Sequence, residues 1–188
     1  MNKKMFFKVM ILTLIMVISA TLMISCNPKQ LYEIPENLDV SIKVYLGTEE
    51  EANLLGTITN KTLLAIAQQN VSMTTVKNIG DPPTPVETTK VYVAYSMNDI
   101  IAKLKINLPE TITSVMVIAS DDYDSDYEIS SFDNSYISIG FEEDGAFASD
   151  FDDEDQVFEA PRFISDKTST SSKSVSKMVV TIIINPIA

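Results

Sequence analysis

Six carboxylates lie within the fifteen residues ASDDYDSDYEISSFD, at positions 119–133, and this stretch contains no basic residue. Several of them alternate along the chain. Alternating oxygen ligands allow a short loop to wrap a hard cation such as Ca²⁺, which takes six to eight oxygens. The carboxylates that the spacing brings into one candidate Ca²⁺ site are Asp122, Asp124, Asp126, Glu128 and Asp133.

The stretch departs from an EF-hand in clear ways. With Asp122 as position 1, the sixth position is Tyr127, where the sharp turn needs Gly, and the twelfth is Asp133, where Glu is preferred. The flanking residues also have the period of strands rather than helices. We therefore expect a looser site on a β-sheet loop. The neighbouring stretch DFDDEDQ supplies further candidate ligands, which are Asp150, Asp152 and Glu154. The alternative is that both stretches are solvated loops that keep the protein soluble.

The net charge of −12 is concentrated in one part of the chain. Residues 121–166 hold sixteen of the 26 Asp and Glu residues and a single base, Arg162. Neutralising phosphates requires clustered Lys and Arg. The composition therefore argues against a nucleic-acid partner.

The absence of His and the presence of a single Cys restrict the possible chemistry. His-dependent Ser and Cys triads and Cys/His zinc sites cannot be built from this chain alone. The Ser-Lys pairs Ser172–Lys173 and Ser174–Lys177 lie in or beside the Ser/Thr/Lys-rich segment 165–176, which we expect to be flexible. A pair of carboxylates that hydrolyses glycans stays open as an alternative. The protein is therefore expected not to be an enzyme, with this hydrolase as the exception.

The first 26 residues, MNKKMFFKVMILTLIMVISATLMISC, place a short basic segment before an apolar one, which is the pattern of a secretory signal. The apolar run ends in LMISCN and thus at the only Cys of the chain. This combination resembles the signal peptide of bacterial lipoproteins, although Met23 stands where that class prefers Leu. Two alternatives are an uncleaved membrane helix and an ordinary cleaved signal with Cys26 unmodified.

The resemblance to lipoproteins implies cleavage before Cys26, a diacylglyceryl thioether on its sulfur and attachment to the membrane of the bacterial cell envelope. The predicted organisation is then a signal peptide at 1–25, a tether at 26–37 and one domain at 38–188. Twelve extended residues reach about 40 Å. Because anionic head groups repel negative charge, we expect the acidic region to face away from the membrane.

Strand periodicity dominates after residue 37. Apolar residues alternate with polar ones in several runs, and KMVVTIIIN near the C-terminus is apolar on both faces, which is typical of a central strand. The alternating runs are DVSIKVYLG, TKVYVAYSM, AKLKINL, SVMVIAS and SYISIGF. The segment 61–70 is compatible with either a helix or a strand. SMNDIIAKLK has a helix-start signal at Ser96 and Asp99, but the alternation after Ile101 favours a strand there.

Many short strands with frequent turns predict an all-β fold, a single antiparallel β-sandwich of the immunoglobulin-like or a similar Greek-key kind. The expected function is that of a lipid-anchored surface or periplasmic module that binds a protein or glycan and is stabilised by Ca²⁺. Besides the hydrolase, a second alternative is a strand-exchange assembly subunit. It would add the apolar strand 177–185 to the sheet of a neighbour.

Overall fold

The computed structural model describes residues 28–149, 151–152 and 157–185. The mostly β architecture predicted from the sequence is confirmed, and the strands form two main sheets. In chain order the strands are β1 (Ser41–Leu46), β2 (Leu54–Thr59), β3 (Gln68–Ile79), β4 (Thr84–Ser96), β5 (Val115–Ala119), β6 (Asp124–Tyr127), β7 (Tyr136–Glu143), β8 (Ala146–Ser149), β9 (Phe151–Asp152), β10 (Val157–Phe158), β11 (Arg162–Ile164), β12 (Val175–Ser176) and β13 (Val179–Ile184). The α-helices in these residues are α1 (Asn60–Leu64) and α2 (Met97–Leu104).

The first sheet has the strand order β2-β1-β13-β5-β6. As its apolar sequence predicts, β13 is a central strand and is almost entirely buried. It pairs antiparallel with β5 but parallel with β1. The prediction of a purely antiparallel arrangement is therefore wrong at this pair. A parallel pair requires a long connection between its strands, and here nearly the whole domain lies between β1 and β13.

The second sheet has the order β12-β11-β7-β4-β3, with β8 beside β7, and it is an antiparallel sheet curled into a half-barrel. Its longest strands, β3 and β4, form one hairpin in continuous register from the Gln68–Tyr95 pair to the Ile79–Thr84 pair. Strand β7 covers β4 only from Val91 onward. The outer half of the hairpin is therefore a two-stranded ribbon that extends past β7.

Two buried clusters lie on opposite faces of the curled sheet. The main core combines side chains of both sheets, such as Ile42 and Ile182 of the first with Tyr95 and Phe163 of the second. The second core contains Ala94 and Ile164, which are next in the chain to the main-core residues Tyr95 and Phe163. Because successive side chains of a strand point to opposite faces, the second core lies on the face that is turned away from the first sheet. The members of the second core are Val71, Met73, Tyr92, Ala94, Tyr136, Phe141 and Ile164.

The predicted strand in AKLKINL is wrong, because α2 occupies Met97–Leu104 and residues 105–108 belong to no strand. Ser96 caps this helix by accepting a hydrogen bond from the amide of Asp99 at 3.5 Å, and Lys105 ends it in the left-handed conformation. Met97, Ile100 and Ile101 are buried, which is the spacing of one helical face. The helix-start signal at Ser96 therefore indicates the structure of this segment correctly, whereas the alternation after Ile101 does not. The ambiguous segment 61–70 is divided between α1 and the start of β3.

The segment before β1, which the sequence analysis assigned to a tether, packs on the domain from Lys29 onward. Buried Gln68 accepts hydrogen bonds from the amides of Leu31 and Tyr32 at 2.8 and 2.7 Å and donates to the hydroxyl of Tyr95 at 2.9 Å. The Tyr95 hydroxyl in turn donates to Gln30 at 3.0 Å. Burial raises the pKa of Tyr95 to about 12, against the effect of its bond with Gln68. These bonds hold residues 30–32 against β3 and β4, so this part of the predicted tether belongs to the domain.

The segment 165–176, expected to be flexible, is held by internal hydrogen bonds. The hydroxyl of Ser135 donates to the carbonyl of Ser165 at 2.6 Å, and the amide of Val76 donates to the carbonyl of Thr170 at 3.0 Å. The segment includes a 3₁₀ turn at Ser172–Ser174 and ends in β12. It therefore lies against the hairpin ribbon as part of the fold. In the part of the chain that the structure describes, no helix has both the length and the apolarity to cross a membrane.

Candidate functional site

The acidic stretch at residues 119–133 contains β6, the turn before it and the loop after it. Strand β6 is the edge of the first sheet and pairs with β5 alone. Asp124 and Asp126 are exposed on one face of it, whereas Ser125 and Tyr127 on the other face are partly covered. The Tyr127 hydroxyl lies 2.6 Å from the hydroxyl of Ser176 on β12, and this contact joins the edges of the two sheets.

The other predicted Ca²⁺ ligands do not converge on Asp124 and Asp126. Asp122 lies in the preceding turn with a φ of 62°, and Glu128 is exposed beyond the strand. Asp133 accepts hydrogen bonds from Asn98 and Ser131 at 2.9 and 3.0 Å. Among the described residues, no group of three His, Cys, Asp or Glu side chains is arranged to hold a metal ion.

The remaining predicted residues lie beyond what the structure describes. Cys26, Asp150 and Glu154 are outside the described residues. Asp152 belongs to the short strand β9, which pairs with β10, but its side chain is not described. Lipid attachment at Cys26 and Ca²⁺ binding at the second acidic stretch therefore stay predictions.

A pocket of about 280 Å³ lies on the outer face of the curled sheet. We call it the basic pocket because its described lining contains four of the 14 Lys and Arg residues and one of the 26 Asp and Glu residues. This is the reverse of the balance in the whole chain. Its lining residues are Met73, Thr75, Lys77, Thr88, Lys90, Tyr92, Glu159, Arg162, Ser172, Val175 and Lys177.

The β3–β4 hairpin supplies one wall of the basic pocket through its strand period. Met73, Thr75 and Lys77 lie two residues apart, so they share one face of β3. Thr88, Lys90 and Tyr92 do the same on β4. The register sets Met73 opposite Lys90 and Thr75 opposite Thr88. A single hairpin therefore presents two ammonium groups and two hydroxyls on the same face.

The opposite wall is built around Arg162, the lone base of the acidic region. Its side chain is buried and forms an ion pair with Glu159, which also pairs with Lys177. Lys177 is about half exposed. Glu159 is thus the shared counter-charge of two cations. Within the described residues, Lys77 and Lys90 take part in no ion pair.

An aromatic pair of the second core lies under the cations. The rings of Tyr92 and Phe141 are 5.1 Å apart between their centroids and tilted by 57°. The Nζ atom of Lys90 lies 4.2 Å from the centroid of Phe141, and the Cζ atom of Arg162 lies 5.2 Å from it. Cations at such distances are attracted by the negative face of a ring. Phe141 therefore holds two of the cations of the pocket in place.

A wider depression of about 640 Å³ lies between the docked N-terminal segment and α1. Its lining includes Glu33, Glu36 and the exposed Leu64. Both carboxylates are exposed. Although this depression is larger, its described lining contains no Lys or Arg to pair with them, so the basic pocket is the stronger candidate.

Sequence reasoning missed the basic pocket because its cations are far apart in the chain. The pairing of Lys77 with Lys90 across one turn could have been found from the alternation of both strands and a turn at residues 80–83. Arg162 was noticed only as an exception among acids. Its position opposite the hairpin depends on the pairing of β11 with β7, which no local pattern indicates.

Among the residues that the structure describes, the basic pocket lacks the pair of carboxylates that the hydrolase requires. Glycosidic cleavage uses two carboxyl groups on either side of the bond, and the described lining contains one, Glu159. None of the buried residues in the described part of the chain is an Asp or Glu. The arrangement is suited to holding a ligand by charge and hydrogen bonds. Comparisons of the chain with protein-family models, curated proteins and solved structures found no match.

Proposed function

We propose that this protein is a lipid-anchored binding module of the bacterial cell envelope and that the basic pocket is its ligand site. The observation that supports this is the convergence of four cations, three hydroxyl side chains and an apolar floor in one pocket whose described lining contains one carboxylate. The membrane is the first partner, through lipid on Cys26. A protein or glycan bound in the pocket is the second.

The architecture proposed for this module is a β-sandwich with immunoglobulin-like or similar Greek-key connections. The main core supports this proposal because side chains of both sheets contribute to it. The strand-exchange alternative has less support, since β13 is paired on both sides within its own chain.

Lipid attachment is tested by expressing the full chain in bacteria with an alkyne-labelled fatty acid. We expect the chain to carry the label and to fractionate with membranes, and Cys26→Ser to lose the label. Met23→Leu is the matched control, because it moves the signal closer to the lipoprotein pattern and is expected to keep the label. An unlabelled wild-type chain would overturn this part of the proposal.

Ligand binding is tested with the purified full chain in detergent, by ligand-observed NMR against a panel of small sugars, amino acids and dipeptides. Thr88→Trp fills the pocket with an indole ring and is expected to abolish the binding signals. Thr89→Trp is the matched control, since the next residue of a strand points to the opposite face. The recovery of ligands unchanged after long incubation distinguishes a module from a hydrolase. Equal binding by both Trp variants would show that the basic pocket is not the site.

A further inference from the structure

We propose that residues 70–74 of β3 bind an extended peptide segment of another protein as an added strand. We call this stretch the open edge. The inference goes beyond the proposed function, because it requires neither lipid on Cys26 nor a ligand in the basic pocket. It follows from the direction of the backbone groups of β3, from the composition of the stretch and from its length.

The backbone hydrogen bonds of β3 show which of its residues face away from β4. In an antiparallel pair, residues that bond the partner strand alternate with residues whose N–H and C=O groups point outward. The amide of Gln68 donates outward to the carbonyl of Lys29 at 2.9 Å. The amide of Val76 donates outward to the carbonyl of Thr170 at 3.0 Å. Because the register is continuous between these two positions, every second residue from Gln68 to Val76 faces outward.

The outward residues of the open edge are Asn70, Ser72 and Thr74. Their backbone groups have no hydrogen-bond partner among the residues that the structure describes. The alternation continues to Asn78, which lies opposite Pro85, a residue without an N–H to give to the ladder. The open edge is therefore a row of donors and acceptors with which a further strand can pair, as in β-augmentation.

The composition of the open edge favours such pairing. Edge strands are usually protected from other chains by charged side chains, by Pro or by a covering segment. Asp124 and Asp126 provide charge on β6, an edge of the first sheet. The open edge, NVSMT, contains neither a charged residue nor Pro. Within the described part of the chain, covering segments contact β3 at Lys29 and Thr170, on either side of the open edge.

These covering segments limit the length of the partner strand. They leave five residues of β3, which span about 17 Å. A second copy does not fit in the register that uses all three outward residues. In an antiparallel pair centred on Ser72, Gln68 of a second copy would lie opposite Val76 of the first. Thr170 of the first copy already occupies that place. A short extended peptide has no such obstacle.

The two faces of the open edge determine which side chains suit the partner. Val71 and Met73 are buried in the second core, whereas Asn70 and Ser72 are exposed on the other face. Residues directly opposite each other on paired strands share a face and interact. The matching partner is therefore a segment in which apolar residues, on the side of the second core, alternate with polar ones. β-Branched residues suit both positions.

The experiment follows amide exchange by NMR in the isotope-labelled full chain in detergent, with the pentapeptide Thr-Val-Thr-Val-Thr as the probe. Exchange at Asn70, Ser72 and Thr74 is expected to slow about tenfold when roughly nine-tenths of the protein is bound, because a bonded amide is protected. The amides of Val71 and Met73 face β4. They are internal controls, and their exchange is expected to stay unchanged.

Methyl groups on the peptide backbone test the pairing without any change to the protein. N-methylation of the central residue removes an N–H that faces the open edge, so it is expected to abolish the protection. N-methylation of the second residue is the matched control, since the N–H of that residue faces away from β3.

A Pro substitution tests the same pairing from the side of the protein. The amide of Ser72 faces outward, and Pro is tolerated at such positions of an edge strand. Ser72→Pro is therefore expected to fold and to lose peptide binding. Asn78→Pro is the matched control, because its amide also faces outward but lies beyond the contact with Thr170. Thermal melting establishes that each variant is folded.

Several results would overturn the inference. Equal binding of the two methylated peptides, or unchanged binding by folded Ser72→Pro, would show that the peptide does not pair with the open edge. Protection of the Ser72 amide before any peptide is added would show that the chain itself covers the edge, or a second copy if the protection grows with protein concentration. An exchange rate that no soluble concentration of peptide slows would remove the site. The proposed function is tested separately, because ligand binding in the basic pocket is measured with Thr88→Trp.

Discussion

The acidic edge strand β6 and the basic pocket are opposite kinds of charge cluster. The carboxylates of β6 are close in sequence, yet the strand period directs Asp124 and Asp126 outward into solvent on one side. The cations of the pocket are separated by up to a hundred positions, from Lys77 to Lys177, and they face one another. Density in sequence and convergence in space are therefore different properties, and only convergence builds a site.

The two regions also differ in what their charges do for the fold. Charged side chains on an edge strand prevent it from pairing with the edge of another molecule, and exposed carboxylates carry little cost. In the basic pocket the buried Arg162 requires a counter-charge, which Glu159 provides. Charge changes are therefore expected to matter for stability in the pocket and to be tolerated on the edge.

The largest effect is expected for Arg162→Met. Removing one partner of a buried ion pair costs 3–5 kcal/mol in general, and because Glu159 is partly exposed we expect about 2 kcal/mol lower free energy of unfolding. The matched variant is Lys177→Met, which removes the second cation on the same carboxylate. Lys177 is half exposed, so its loss is expected to cost less than about 1 kcal/mol. Urea unfolding measures both, and equal costs would show that burial of Arg162 does not set the difference.

A smaller effect is expected for Tyr127→Phe, which tests the partly covered face of β6 against its exposed face. The variant loses the contact between the Tyr127 hydroxyl and Ser176 and is expected to be about 1 kcal/mol less stable. Asp126→Asn, on the outer face of the same strand, is expected to change stability by less than about 0.5 kcal/mol. If Asp126→Asn were the more damaging variant, the outer carboxylates would have a structural role that their exposure does not reveal.

The pH dependence of the stability of Tyr127→Phe provides a second measurement on the partly covered face of β6. Burial raises the pKa of Tyr127 above its ordinary value of 10.0, against the effect of its bond with Ser176. The folded state then holds the phenolic proton more tightly than the unfolded state does. The stabilisation is complete below pH 10 and is lost as the pH rises through the folded pKa. The stability difference between the wild type and Tyr127→Phe is therefore expected to shrink above pH 10, as followed by urea unfolding.

Much of the fold was predictable because it depends on local periods. Alternation located β1, β5 and β7, and the doubly apolar run located β13 as a central strand. The failures came where a local signal competed with another or where pairing was long-range. At residues 97–104 the cap at Ser96 prevailed over a short alternation, and the parallel pairing of β1 with β13 involves residues about 140 positions apart. The basic pocket belongs to the second class, because β11 reaches the hairpin side of the sheet only through its pairing with β7.

The smallest effect is expected when the two outward carboxylates of β6 are neutralised together, in Asp124→Asn/Asp126→Asn. If they were part of a Ca²⁺ site, saturating that site at 100 times its dissociation constant would stabilise the wild type by about 2.7 kcal/mol, and the double variant would lose this gain. Because no group of three carboxylates among the described residues is arranged to hold a metal ion, we expect the two proteins to show the same change between CaCl₂ and EDTA at matched ionic strength. Thermal melting decides the question. A Ca²⁺-dependent rise that disappears in the double variant would restore the acidic stretch as a metal site, whereas a rise that persists would assign it to carboxylates elsewhere in the chain.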